Sequence, residues 1–304
     1  MKIMTINTHS LAEPEYEKKR EWFLRVMLRE QPEILAMQEV NQSAQAPVVD
    51  ENELSGYVAC PERSQPVRED NHGAWLAQRL TKRGCPYYWT WLPAKLGYGK
   101  FDEGVALLSR SPILEAEQLC ISKVNDYQNW KTRKVLGIRT ARGWFYTVHM
   151  GWWDDDEEPY SRQWQVLDKH LQARKQEGCP LWLMGDFNSP AGVRGQGYDL
   201  VCNSGWFDTY VLAAEKDCGV TVEEEIDGWR ERSAGEQDEN EPGGAGQEQG
   251  AYKGMRIDHI FCSRPAGIAR SQVVCNGRKD PRVSDHYGVM IETETAEPEA
   301  LEQQ

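Results

Sequence analysis

Long apolar runs are missing: nothing in the 304 residues approaches the roughly 20 needed to cross a bilayer. Met1–Ile6 is too short for the apolar centre of a signal peptide and leads straight into Asn7. The expected location is therefore the cytoplasm. Cys-x-x-Cys is also missing, and the eight cysteines stand at least 13 residues apart. That argues against structural zinc, and without an export signal a disulfide framework is not expected. No basic arm or Lys/Arg run is present, so nothing in the charge pattern asks for a nucleic-acid partner.

What is there begins with acid. The net charge of −13 is unevenly placed. Asp154–Glu158 carries −5, residues 223–248 carry −8 and residues 292–302 carry −5, which leaves the remaining body near +5. Hydrophobic content of 39% and charged content of 27% suit a globular chain with a sizeable core. Residues 233–250 are low-complexity Gly/Glu/Gln, yet strand-like sequence resumes at 255. The expected organisation is one domain over 1–293, a mobile loop at 233–250 and a disordered acidic tail at 294–304.

Apolar stretches of strand length alternate with a few helical patterns. Strands are expected at 1–7, 34–40, 87–92, 104–109, 133–140, 144–150, 181–187, 256–262 and 287–293. Helices are expected at 15–31, closed by Pro32, at 72–83, closed by Gly84, and at 160–177, closed by Gly178. About nine strands and three helices predict an α/β fold with helices outside packed sheets.

Short polar sites sit at the ends of these runs. Asn7 follows the first strand, Glu39 the second, and His149 follows Phe145–Val148. Asp186 and Asn188, two apart in Gly185-Asp186-Phe187-Asn188, point the same way on a strand while Phe187 points into packing. Asp258 lies inside the apolar Ile257–Phe261, and Ser284-Asp285-His286 precedes the last strand. A buried Asp258 could hold the His286 imidazole in one tautomer and raise its pKa. Glu103, which opens Gly104–Ser109, is a candidate orienter for His149. Each site has a plain structural reading, such as an Asx turn or a surface loop residue. Together, oxygen ligands and imidazoles from six strand ends suggest a hard cation and phosphate-ester chemistry.

The ordered set Asn7, Gln38-Glu39, Glu103-Gly104-Val105 with Ser109-Arg110, His149, Gly185-Asp186-Phe187-Asn188, Asp258 and Ser284-Asp285-His286 resembles the endonuclease/exonuclease/phosphatase superfamily, which has the deoxyribonuclease I-like fold. The resemblance implies a four-layer α/β sandwich of two packed mixed sheets, with the active site at one edge. It implies Mg2+, or Mn2+, held by Glu39 with Asn7 and Asp285. It implies Asp186 as the activator of water, Asn188 as a phosphate holder, and His149 and Asp258-backed His286 as stabilisers of the transition state.

The substrate is read from local detail. His9 lies just beyond Asn7, and Trp152 and Trp153 stand beside His149; indole faces suit sugar rings. Arg133 or Lys134 could contact phosphate, and Glu103 completes the expected substrate-side set. The acids at 154–158 would repel an extended polyanion from the mouth of the site. Asn-Thr-His-Ser at 7–10, His-Met-Gly-Trp-Trp at 149–153, Gly-Asp-Phe-Asn-Ser-Pro at 185–190, Gly-Tyr-Asp-Leu at 197–200 and Gly-Trp-Phe-Asp-Thr-Tyr at 205–210 are similar to the bacterial maltose 6′-phosphate phosphatases. That implies a phosphomonoesterase acting on a small phosphorylated sugar, with neither nucleic acid nor membrane as partner. The alternatives are a nuclease or phosphodiesterase of the same fold, and a catalytically silent binding protein.

Overall fold

The computed structural model describes residues 1–223 and 254–294. The segment expected to be mobile at 233–250 and the acidic tail beyond Glu294 lie outside the described residues. Glu294 itself donates its N–H to Gly267 O (2.8 Å).

Two sheets form the centre. The first runs in the order β10 (Glu215–Lys216), β12 (Ile268–Val274), β13 (Gly288–Thr293), β1 (Lys2–Asn7), β2 (Ile34–Ser43), β4 (Phe101–Ser109), β3 (Tyr88–Gly97). The second runs β5 (Glu115–Cys120), β6 (Lys134–Thr140), β7 (Gly143–His149), β8 (Leu181–Asp186), β11 (Asp258–Cys262), β9 (Phe207–Asp208). Both are mixed: β1/β2 and β7/β8 pair parallel, whereas most other neighbours are antiparallel. Helices α1 (Tyr16–Glu30) and α2 (His72–Lys82) cover the first sheet, while α3 (Tyr160–Lys175) and α4 (Gly197–Asn203) cover the second; α5 (Thr209–Leu212) is a single turn.

Side-chain alternation builds the layers. In β1, Ile3 faces the second sheet while Met4 and Ile6 face α1. In β8, Trp182 and Met184 face the first sheet while Leu181 and Leu183 face α3. Three large clusters of the core thus fill one interface each of a four-layer sandwich, as the sequence resemblance implied. The central strands, such as β1, β4 and β8, are buried on both faces because each face is covered.

The three expected helices form. The structure adds four strands to the nine expected. β5 reads Glu-Ala-Glu-Gln-Leu-Cys and β12 Ile-Ala-Arg-Ser-Gln-Val-Val. Both are partly solvated and too polar to show a clear period of two, and β9 and β10 are two residues each. Among the described residues no helix is long and apolar enough to cross a membrane.

The pairing fixes where the polar strand ends meet. Asn7 stands beside Gln38 across β1/β2, His149 beside Asp186 across β7/β8, and Asp186 opposite Asp258 across β8/β11. Carboxyl ends of parallel strands therefore share one edge with the start of β11 and with the loop that enters β13. Gln38 Nε2 donates to Thr147 Oγ1 (2.8 Å) and ties the two sheets together beneath that edge.

Candidate active site

Glu39 reaches the edge through a fault in the ladder. The β2/β4 register slips between Met37 and Val40, and Glu39 takes φ +50°. This β-bulge frees the residue from pairing and turns its side chain into the cleft. Asn7 then joins the acids: its Nδ2 donates to Glu39 Oε1 (2.9 Å) and to Asp186 Oδ2 (3.2 Å).

Asp186 Oδ2 is the hub. His149 Nε2 lies 3.7 Å from it and His286 Nε2 lies 3.8 Å from it. His149 Nε2 is also 3.9 Å from Glu39 Oε1. Behind His286, its Nδ1 stands 2.9 Å from Asp258 Oδ2, while Asp258 Oδ1 is buried with no partner among the described residues. Asp186 Oδ1 accepts the Asn188 N–H (2.8 Å), so the plain Asx turn and the inward carboxylate coexist. Asn188 Nδ2 donates to Met150 O (2.9 Å), which leaves its second hydrogen for another acceptor.

A cavity of about 40 Å³ opens over this group, lined by His9, Glu39, Tyr98, His149, Trp152, Asp186, Asn188, Asp285 and His286. Among the described residues nine non-glycine residues have positive φ, and four of them (His9, Glu39, Tyr98 and Asn188) line this one cavity. Strain of this kind persists only where the surrounding structure holds it, and it concentrates at functional sites.

Burial sets the electrostatics. It pushes the Asp186 carboxyl up to about 7, against the opposing pull of the His286 charge. Burial also raises Glu39, and the charge of Glu103 adds to the effect. Burial works to lower His286, but the charges of Asp258 and Asp186 overcome it and hold the imidazole well above its ordinary value. His149 goes the other way: burial first, then the charges of Arg133, Lys95 and His286, hold it well below.

These observations place carboxylates and paired imidazoles around one buried oxygen, at the edge of a four-layer sandwich. The chain belongs to the endonuclease/exonuclease/phosphatase family. A family model with that description matches residues 4–286. Members of the family are metal-dependent phosphoric ester hydrolases, and this chain is an enzyme of that class. An endonuclease/exonuclease/phosphatase family protein from Leptotrichia buccalis is similar at 27% identity with a TM-score of 0.77, over 97% of this chain and 99% of that one. A mannosyl-6-phosphatase from Bacteroides thetaiotaomicron is similar at 15% identity and TM-score 0.59, with the same coverage. A 3′ phosphatase from Neisseria, bound to product DNA hairpin, is similar at 19% and 0.59, again over 97% and 99%. The last two likenesses are of fold alone. No curated protein matches the chain.

The donor set fits the family's divalent metal. Half-buried Glu39 and buried Asp186 share one neutral amide, and Asp285 lines the same cavity. Concentrated oxygen donors suit a hard cation. Two groups also bring ligating atoms within 4.8 Å of one another: Asp186, Asp258 and His286 at the floor, and His9, Glu13 and Asp285 at the rim. Glu39 is in neither group.

Two expectations are corrected. Glu103 is not within 4 Å of His149; its carboxylate pairs with Lys95 Nζ (3.1 Å), a neighbour set by the β3/β4 register. Trp153 does not line the cavity. It packs on Tyr160 with ring centres 5.7 Å apart, in the layer beneath α3. The acids at 154–158 are partly tied down, while Asp154, Asp156 and Glu157 stay exposed. Asp155 and Glu157 pair with Lys131 Nζ (2.9 and 2.7 Å), and buried Glu158 accepts the Lys123 and Val124 N–H groups. Arg133 is buried beside the site rather than on its surface, lining a second small cavity with Lys95 and His149, and its Nε has no partner among the described residues. Sequence reasoning missed Tyr98 and Lys95. An aromatic at a tight-turn position was the available signal for the first; nothing local marked the second.

Proposed function

We propose that this chain is a phosphomonoesterase that hydrolyses a small sugar phosphate, maltose 6′-phosphate or a related disaccharide phosphate. The observation that carries the hydrolytic reading is Asp186 Oδ2, with Nε2 of both histidines at 3.7 and 3.8 Å and the Asn7 amide at 3.2 Å. Glu39, Asn7 and Asp285 would hold a divalent cation, Mg2+ by preference or Mn2+ in its place. When bound, the ion supplies charge neutralisation at the phosphoryl oxygens and polarises the P–O bond.

The side chains divide the remaining work. Asp186 orients a water and takes its proton as the water attacks in line. A carboxyl raised by burial is a stronger base than an exposed one, which suits it to that task. His286, held charged by Asp258, donates to a phosphoryl oxygen as negative charge builds. His149 contributes from the adjoining strand, and Asn188 offers its free amide hydrogen to the phosphate. Arg133 adds a buried positive charge behind His149. No side chain need bond covalently to the substrate.

Support for a sugar comes from the mouth. Trp152 lines the cavity directly, and His9 places a polar ring on its rim. Cytoplasmic action goes with this reading. Asp154, Asp156 and Glu157 stay exposed and Lys131 offsets only part of the charge of this run, which weighs against an extended polyanion; the test includes DNA as the rival substrate. Phosphate release from maltose 6′-phosphate and other hexose phosphates should far exceed turnover of abasic-site DNA or nicking of plasmid. Rapid nicking with no sugar-phosphate turnover would overturn the proposal in favour of a nuclease.

A further inference from the structure

Tyr98 occupies a costly backbone position, and its ring meets Phe101 edge-on with centres 6.4 Å apart while more than half of the residue stays exposed. It sits between β3 and β4 in the turn Gly97-Tyr98-Gly99-Lys100, closed by Lys100 N–H donating to Gly97 O (3.1 Å). Both central residues take positive φ, +50° for Tyr98 and +66° for Gly99. Such turns favour Asn-Gly, because asparagine tolerates the left-handed region and an aromatic residue does not. Tyr98 is also 54% exposed, so burial does not offset the strain. Backbone strain kept on an exposed aromatic points to a use at the surface.

The surroundings show the use. Tyr98 lines the active-site cavity together with Trp152, and the two come from loops of different sheets. Its hydroxyl lies 3.0 Å from His9 Nε2. His9, itself at φ +45°, is held at Nδ1 by Glu13 Oε1 (2.8 Å), and Glu13 is buried and paired with Lys19. Glu13 Oε1 also accepts the Asp285 N–H (3.1 Å), so one buried carboxylate fixes both this rim and the loop carrying Asp285.

We propose that Tyr98, anchored through His9 and Glu13, is a specificity-determining residue: with Trp152 it offers aromatic surface to the sugar ring next to the scissile phosphate. The inference rests on the sugar-phosphate reading above. Apolar faces of a pyranose pack on aromatic rings while its hydroxyls hydrogen-bond at the rim, where His9 and the Tyr98 hydroxyl stand. A phosphate ester without a ring gains nothing from this surface.

The test compares kcat/KM for a hexose 6-phosphate with that for methyl phosphate, in the full chain with Mg2+. Tyr98→Asn removes the ring and gives the turn its preferred residue. The sugar-to-methyl selectivity should fall about tenfold or more, through KM rather than kcat, while Tm holds or rises. Tyr98→Phe keeps the ring and should retain selectivity within about threefold. Selectivity unchanged in Tyr98→Asn overturns the proposal, and so does a lower Tm with equal loss on both esters, the mark of a merely structural role. Greater loss on a nucleoside 3′-monophosphate than on the sugar would make the occupant a base instead. A wild type with no preference for sugar over methyl phosphate would defeat the sugar reading itself, a result visible before any variant is made.

Discussion

Asp258→Asn removes one negative charge and almost no volume, at a residue that is fully buried and touches His286 Nδ1 at 2.9 Å. At an effective dielectric near 20, a unit pair at that distance is worth about 6 kcal/mol, an upper limit on what the change can remove. The aspartate is the largest of the three carboxylate charges, with Asp186 and Asp285, that keep His286 protonated against burial. Without it, burial wins and the imidazole is neutral near neutral pH. An asparagine oxygen would still accept from Nδ1–H, which leaves Nε2 as a lone pair facing the phosphate where a charged donor stood. Loss of one positioned acid costs roughly 10²–10⁴-fold, or about 2.7–5.4 kcal/mol of transition-state stabilisation. The sign in pH follows. His286 must be charged to act, its raised pKa places the loss of that charge on the alkaline side, and the variant moves that limb toward acid. Phosphate release from the best sugar phosphate, measured across pH with Mg2+, gives both numbers. Because the two residues act as one unit, the double variant with His286→Asn should be no slower than His286→Asn alone. A rate within about threefold of wild type, with the alkaline limb unmoved, would refute the pairing as a catalytic device.

Other expectations reach the metal, the backbone and the surface. Glu39→Gln should lose about 10²-fold or more of the Mg2+-dependent rate and weaken Mn2+ binding in calorimetry; an intact rate would contradict its place as a ligand. Gly185→Ala should destabilise by about 2–4 kcal/mol in urea titration, since φ is +140° and the new methyl would press on Val148 O, between His149 and Asp186. Glu117 holds edge strand β5 to α3: burial would raise its carboxyl, but bonds from His170, Arg174 and Tyr146 lower it from 4.5 to about 2. A depressed carboxyl stabilises above its unfolded pKa and ceases to as pH falls through the folded one. The full shift is worth about 3 kcal/mol, and partial exposure reduces this to about 1–2 kcal/mol. Glu117→Gln should lower stability by that amount at pH 7 and flatten the decline between pH 4.5 and 2 in acid titration followed by circular dichroism.

Much of this arrangement could be read from the chain because strand ends announce themselves. Asn7, His149 and Asp186 each close an apolar run whose alternation gives the facing, and Asp258 interrupts one from within. Asp258 and His286 could be paired on paper since a lone aspartate in an apolar strand needs a partner. What could not be read depends on which strands are neighbours. Lys95 meets Glu103 only because the β3/β4 register slips between Pro93 and Lys95, and nothing in either segment alone encodes that slip. The bulge at Glu39 is of the same kind. The acids at 154–158 looked like a surface charge run because Lys131, which pairs with two of them, lies more than 20 residues upstream. The burial of Glu158 among them, and the pairing of Asp155 and Glu157 with Lys131, are tertiary facts that composition does not carry. β12 escaped notice for a related reason: its polar residues are tolerated by partial solvation near the sheet margin, so periodicity never became clear.

The two histidines show how far environment, rather than residue type, assigns chemistry here. His149 and His286 place Nε2 at nearly equal distances from the same oxygen of Asp186, and both are largely buried. In isolation they would be interchangeable. Their difference arises one layer back. Pairing of β8 with β11 sets Asp258 behind His286, whereas pairing of β4 with β3, and the approach of β6, set Lys95 and Arg133 around His149. One imidazole is thereby kept charged and the other neutral, across a single carboxylate whose own pKa burial has raised. Groups pushed apart in this way can perform acid and base steps at one pH. The sheet order does more than collect the polar strand ends at an edge, because it also decides which of the two rings carries the proton.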